Sequence, residues 1–332
     1  MTGSPVRTKA GELSLSATSV SLLAPCLRQL PAQGFDTSHK RLQRKYLDFL
    51  VNDEAKNVIM TRSRIVRYFR DFFHSRGYLE VETPILSHSL GGAAARPFTC
   101  HHHDLDQQLY LRVAPELFLK QMVVGGFDRV FEIGKQFRNE CVDYNHNPEF
   151  TSCEFYEAWS DYRDLMATTE ELLGGLVTSL ELEPRHQGVQ LDFTSQYQRL
   201  DFLPSLEAAL GCSLAPTPEL EGKGSRRQLE GLCRREGLLH EGSVARLLDR
   251  LAGKLVEPEL KQVISGHGLE LSHVCHPQPS LLLHHPSLMS PLAKPHRDLP
   301  GLAERFELFV GGQEVMLQPP PPLPSNHCDA GV

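Results

Sequence analysis

A chain of 332 residues, 40% hydrophobic and 23% charged, is long enough to bury one large core. Its net charge of −7 excludes a global basic field for nucleic acid, so any RNA contact needs a local patch. No apolar run approaches the ~20 residues of a membrane span, residues 1–10 are too short and polar for a signal peptide, and eight scattered cysteines without paired spacing read as reduced thiols of an intracellular protein.

In chain order, residues 1–10 are expected to be disordered. Residues 11–33 have room for a strand or two before Pro31 and Gly34, and 34–60 read as a linker. Arg62 to Arg76 reads as an amphipathic helix, with Ile65, Phe69, Phe72 and Phe73 at helical spacing and Gly77 as its cap. A strand from Tyr78 to Thr83 is stopped by Pro84. Leu109–Val113 is expected as a strand, and Pro115 opens a short helix running through Val124. Arg129–Ile133 is a strand. Asp161 is a good N-cap for a helix to about Leu180, and further helices are expected near 203–210 and 244–257, the latter opened by Ser243. Strands leading into helices without a regular βαβ repeat predict an α+β fold with a mixed, mostly antiparallel sheet.

The most informative stretch is Phe137-Arg138-Asn139-Glu140, a polar loop, His146-Asn147-Pro148-Glu149-Phe150-Thr151, and Glu154-Phe155-Tyr156. It reads as a strand, a loop and a returning strand. Because residues i and i+2 share a face, Arg138 and Glu140 point one way, as do Ser152, Glu154 and Tyr156, with Cys153 and Phe155 on the other side. One face thus collects a guanidinium, two carboxylates and a phenol, which suits either a solvated set of salt bridges or a charged ligand.

This stretch resembles motif 2 of the class II aminoacyl-tRNA synthetases, in the form found in lysyl-tRNA synthetase rather than its aspartyl or asparaginyl relatives. Further blocks match in order: Gly11-Glu12-Leu13-Ser14 and Leu23-Ala24-Pro25-Cys26-Leu27, Arg44-Lys45-Tyr46-Leu47-Asp48, Gly77 to Pro84, Gly91 to Phe98, Arg112 to Leu117, Ser290-Pro291-Leu292-Ala293-Lys294 and Arg305 to Phe309. The resemblance covers roughly residues 11 to 314. It implies a class II catalytic core at 61–315 with helices flanking the sheet, a remnant of an OB-type anticodon-binding barrel at 11–33, and a homodimer built on the helix and strand that end at Pro84.

The implied reaction joins lysine to ATP as lysyl-adenylate and passes the lysyl group to tRNA(Lys), with Mg2+ as the metal. In that scheme Arg138 and Glu140 are catalytic, and Arg138 reaches both the lysine carboxylate and the α-phosphate. Glu140, His146, Asn147 and Phe150 join it in holding ATP, and Glu314 holds metal. Lysine carries two ammonium groups, so each end calls for a carboxylate: Glu116 takes the α-amino group, Glu154 and Tyr156 the side-chain ammonium, and Gly92 leaves backbone room. Plainer readings stay open at each position. Arg138 fits a structural ion pair with Glu140 or Glu154, His146 an exposed loop residue, Phe150 a core side chain, and Glu116 a first-turn helix acid.

The sequence also departs from the resemblance. After Glu314 it runs into a proline-rich stretch at 316–332, expected to be a disordered tail, where the family has a strand with a second acid and, later, motif 3. The expectation is a core incomplete at its C-terminus, a truncated anticodon domain, and a chain that is catalytically inactive and acts only as a dimerisation or interaction partner. Residues 261–278 read as an inserted loop; its His267, His273, Cys275 and His276 fit no standard zinc spacing. The expected location is cytoplasmic, with a mitochondrial one left open, and no membrane partner is expected.

Overall fold

The computed structural model describes residues 1–30, 38–89, 91–93, 95–140, 142, 146–186, 188–258, 279–311 and 313–317. They fall into two compact units, Met1–Arg64 and Ile65–Val332, with the boundary inside the helix Asp53–Ser75.

In the first unit, Thr2–Arg7 pairs antiparallel with Leu13–Ser19. The turn is closed by the Gly11 amide on the Thr8 carbonyl, with Gly11 at φ +84°. Residues 1–10 are therefore not disordered. The hairpin is held by its backbone ladder and by turn chemistry, whereas its side chains are mostly polar and exposed, so a search for apolar runs does not find it. Among the described residues of this unit the only sheet is this two-stranded one, and the expected barrel remnant is not confirmed. The expected linker carries two helices, Ser38–Gln43 and Lys45–Val51, and the start of Asp53–Ser75. Asp48 is buried and accepts from Arg41 Nε at 3.0 Å, Lys45 Nζ at 3.4 Å and Asn52 Nδ2 at 3.4 Å, which satisfies its charge.

Among the described residues the second unit holds a two-residue pairing of Arg185–His186 with Val189–Gln190 and three larger sheets. One has the strand order Leu79–Glu80, Arg129–Phe137, Glu149–Glu157. The Ile65–Ser75 part of the long helix lays Phe72 and Phe73 on this sheet's Phe131, with Tyr78 and Leu172 completing the cluster. Gly77, at φ +77°, ends that helix. The strand expected at Tyr78–Thr83 shortens to Leu79–Glu80, because the amide and hydroxyl of Thr83 go to Glu132 Oε2 at 3.2 and 2.6 Å instead of to a ladder. A second sheet pairs Gln107–Leu111 with Leu86–Ser87 and Thr99–His102.

The third sheet runs Gln198–Asp201, Ser280–Leu283, Phe306–Val310, Gln313–Leu317. Leu282 and Phe309 pack with Phe202, Leu206, Leu229, Leu247, Leu248 and Leu251 in the largest apolar cluster. Burial of each such side chain stabilises by about 1.5–3 kcal/mol. The helices Phe202–Leu210 and Val244–Leu255 match the expected ones, and Ser243 caps the second. Lys223–Arg235 is a helix the sequence reading missed. Gly224 and Gly231 lower its intrinsic propensity, yet Ser225, Leu229, Leu232 and Cys233 share its buried stripe. Residues 316 and 317, expected in the tail, belong to the last strand; residues 318–332 lie outside the described residues, as does the expected inserted loop. Two strand pairings are parallel, Leu79–Glu80 with Arg129–Phe137 and Gln198–Asp201 with Ser280–Leu283. The others are antiparallel, giving the mixed α+β architecture.

Candidate active site

The site is built on the hairpin Arg129–Phe137 and Glu149–Glu157, in which Glu132 stands opposite Glu154 and Gln136 opposite Phe150. The first strand runs four residues beyond the expected Ile133 and stops at Phe137, so Arg138 to Glu140 lie just past it rather than within it. Alternation holds where the strands persist. Phe131, Ile133, Cys153 and Phe155 pack towards Phe73, whereas Val130 and Tyr156 pack on the other side with Leu119. Phe150, Ser152, Glu154 and Tyr156 therefore share the face carrying Glu132, Gly134 and Gln136.

That face is polar at its centre. Tyr156 donates to Glu154 Oε2 at 3.3 Å. Burial, and then the like charge of Glu116, push the Glu154 carboxyl up to about 7, against the opposing pull of Tyr156 and Arg138. Burial and the same two carboxylates raise the Tyr156 phenol well above its usual range. Glu116 opens the helix Glu116–Val124 behind Pro115 and is 4% exposed, with Lys120 Nζ 2.6 Å from its Oε1. Gly92 sits beside it at φ +89°, where an added Cβ would meet Ala114 Cβ at 3.2 Å and Glu116 Cβ at 3.3 Å. Arg138 Nε reaches the Val113 carbonyl at 3.5 Å, and its guanidinium carbon lies 5.1 Å from the Phe150 ring centroid.

The structure thus gathers Gly92, Glu116, Arg138, Phe150, Glu154 and Tyr156. Glu140 is exposed on a bend and accepts from the Arg96 amide at 3.4 Å; His146 and Asn147 are exposed before the second strand. Glu314, opposite Phe309 in the third sheet, is within electrostatic reach of Arg138. Desolvation and the like charge of Glu307 push its carboxyl up to about 7. With the residue open to solvent, repulsion from Glu307 is the cause that carries weight. Glu314 offers one carboxylate to a hard divalent cation whose remaining ligands are phosphate and water oxygens, whereas both oxygens of Glu307 are engaged, by His285 and Arg305. Among the described residues, no group of three or more His, Cys, Asp and Glu side chains is disposed to hold a metal unaided.

Sequence reasoning missed the supports of this site. Arg112 and Glu132 form a buried ion pair at 2.5 Å, and Arg112 also donates to Thr83 Oγ1 at 2.7 Å and the Lys135 carbonyl at 3.0 Å. Gly134 makes room for it, since a Cβ there would sit 2.3 Å from Arg112 Nη2. The alternation Glu132, Gly134, Gln136 carries the signal for these supports, and it continues past the expected strand end at Ile133. Glu307 has a second partner in the buried His285, whose Nε2 lies 3.2 Å from Oε2, and Arg305 pairs with its other oxygen.

Chemically, two partly desolvated carboxylates that repel each other call for cations between them, and the guanidinium alongside calls for an anion. Comparison with known proteins identifies the family. Residues 37–317 match the family described as tRNA synthetases class II (D, K and N). The chain is 42% identical over 329 residues to a probable cytoplasmic lysine–tRNA ligase of Encephalitozoon cuniculi, covering 95% of this chain and 61% of that protein. It is 42% identical to the lysine–tRNA ligase cla4 of Cladosporium cladosporioides, over 94% of this chain and 52% of the relative. For the lysine–tRNA ligase of Thermotoga maritima the values are 39%, 94% and 59%. The chain therefore spans a little over half the length of these relatives. A match that runs through both the hairpin and the third sheet, carried by relatives this similar, makes the chain a member of the class II tRNA synthetases (D, K and N).

Proposed function

We propose that this chain is a lysine–tRNA ligase, activating lysine with ATP and transferring it to tRNA(Lys). The observation that carries the reading is the polar face of the hairpin, where Glu154 accepts from Tyr156 at 3.3 Å within electrostatic reach of the buried Glu116 and of Arg138. Lysine supplies the complementary charges: a side-chain ammonium for Glu154, an α-ammonium for the Glu116 oxygen that Lys120 leaves open, and a carboxylate for the guanidinium. Aspartate, with one ammonium and two carboxylates, would leave an acid pair facing its side chain.

Glu116 and the backbone at Gly92 receive the α-amino group, and Glu154 with Tyr156 receives the side-chain ammonium. The fork of Arg138 spans the lysine carboxylate and the α-phosphate, holding the reactants in line and neutralising charge as it builds. A carboxylate oxygen forms the bond to phosphorus, the bond to the β-phosphate bridge breaks, and pyrophosphate leaves. A hydroxyl of the terminal tRNA ribose then takes the lysyl carbonyl and AMP departs. Phe150 offers a face to adenine, and Glu140, His146 and Asn147 lie at the phosphate end. Glu314, next to Glu307, would hold Mg2+, which supplies charge neutralisation on the phosphates when bound. A homodimer through the Pro84 region completes the proposal, together with a cytoplasmic location, which the name of the Encephalitozoon cuniculi relative states of that protein. Among the described residues no helix is long and apolar enough to cross a membrane.

The test is lysine-dependent ATP–pyrophosphate exchange by the purified 332-residue chain, with Glu154→Gln as control. Exchange that requires lysine and vanishes in the control supports the reading. A folded sample without exchange overturns it and favours the alternative, an inactive synthetase-like chain acting as a dimerisation or interaction partner.

A further inference from the structure

Residues four apart on a helix lie on one face, and an exposed Glu–Lys pair at that spacing contributes only about 0.2–0.5 kcal/mol. Glu116 and Lys120 have that spacing but not that setting. Their side chains are 6% and 15% exposed, and Nζ stands 2.6 Å from Oε1. Burying an ammonium is unfavourable unless a charge holds it, so helix stability alone is a poor reason for a lysine here. The carboxylate it holds belongs to the residue whose Cβ lies beside Gly92, and its charge is felt by both Glu154 and Tyr156.

We propose that Lys120 is a positioning residue for amino-acid recognition: it fixes the Glu116 carboxylate through Oε1 and leaves Oε2 as the acceptor for the ligand's α-ammonium. The inference rests on the reading of this pocket as a lysine site. The last torsion of a glutamate is broad and roughly two-fold, so a carboxylate held by nothing on its own helix would turn freely or swing towards Arg138. Lys120 removes that freedom. It also offsets one of the negative charges of a site that holds Glu116 and Glu154, with Glu132, opposite Glu154, compensated by Arg112 and with Arg138 within electrostatic reach. Lys120 touches Glu116 and not the ligand, so its effect is confined to the end of the ligand that Glu116 meets.

That confinement gives a test that a merely structural role would not pass. Binding of lysine and of 6-aminohexanoate, which has the same carboxylate and terminal ammonium but no α-amino group, is measured by calorimetry on the full chain and its Lys120→Met variant. Lys120→Met should weaken lysine about tenfold and leave 6-aminohexanoate unchanged, so that the preference for lysine collapses. Lys120→Arg, which keeps a cation near Oε1 and guards against a misfolded methionine variant, should restore most of it. Equal weakening of both ligands, or of neither, overturns the role of Lys120 while leaving the lysine pocket standing. Failure of the unmutated chain to bind lysine overturns the pocket reading and this inference together.

Discussion

Glu154→Gln should make the protein more stable at alkaline pH while abolishing lysine binding. The carboxyl is raised from 4.5 to about 7 by burial and by Glu116. The sign follows from linkage: the unfolded chain releases this proton near 4.5 and the folded chain holds it until about 7, so stability falls as pH rises through that window and the loss is complete above it. At about 1.4 kcal/mol for each tenfold change in proton affinity, the full cost is about 3 kcal/mol. An amide of the same shape ionises at neither pH and escapes that cost. Urea unfolding of the wild type and the variant should give equal stability, within about 0.5 kcal/mol, near pH 4.5. A gain of about 2–3 kcal/mol should appear at pH 8. Calorimetry at pH 8 should show lysine binding by the wild type only. A stability difference that does not change between the two pH values would refute the reasoning, because it would mean that Glu154 is not a strained, buried charge.

Other expectations follow from the same geometry. Arg112→Met leaves Glu132 buried without its cation and should cost about 3–5 kcal/mol by urea unfolding; adding Glu132→Leu should recover most of the loss. Asp161 accepts from the amides of Arg163 at 2.8 Å and Asp164 at 3.4 Å and also pairs with Arg297 at 2.8 Å. Asp161→Ala should therefore lower stability by about 1–2 kcal/mol, with amide exchange rising first in the first turn of Tyr162–Ser179. Gly92→Ala places a Cβ against Ala114 and Glu116 on a backbone at φ +89°. It should cost about 1–2 kcal/mol in melting experiments and reduce lysine affinity further than the stability loss explains.

The sequence by itself determined the elements whose signals are local. Pro115 before Glu116, Asp161 before Tyr162, Ser243 before Val244 and Gly77 after the phenylalanine-rich helix each announce a helix end through a cap or a φ restriction, and each stands where the sequence reading put it. The family was legible in the same way, because motif residues such as Arg138, Glu154 and Tyr156 lie close in sequence on one hairpin. Tertiary structure decided what depends on partners far along the chain. The strand after Tyr78 ends early because Thr83 is drawn to Glu132, 49 residues away. The hairpin strand runs to Phe137 because its partner Glu149–Glu157 is long enough to match it. The Thr2–Arg7 hairpin forms on a backbone ladder that composition does not record. Glu154 is an ordinary glutamate in the sequence; only the fold brings Glu116 and burial to bear on it and moves its proton affinity towards neutrality. Local conformational preference is written residue by residue, whereas desolvation and charge repulsion act through space, so the chain announces its helix ends and its family while the electrostatics of the pocket exist only once it is folded.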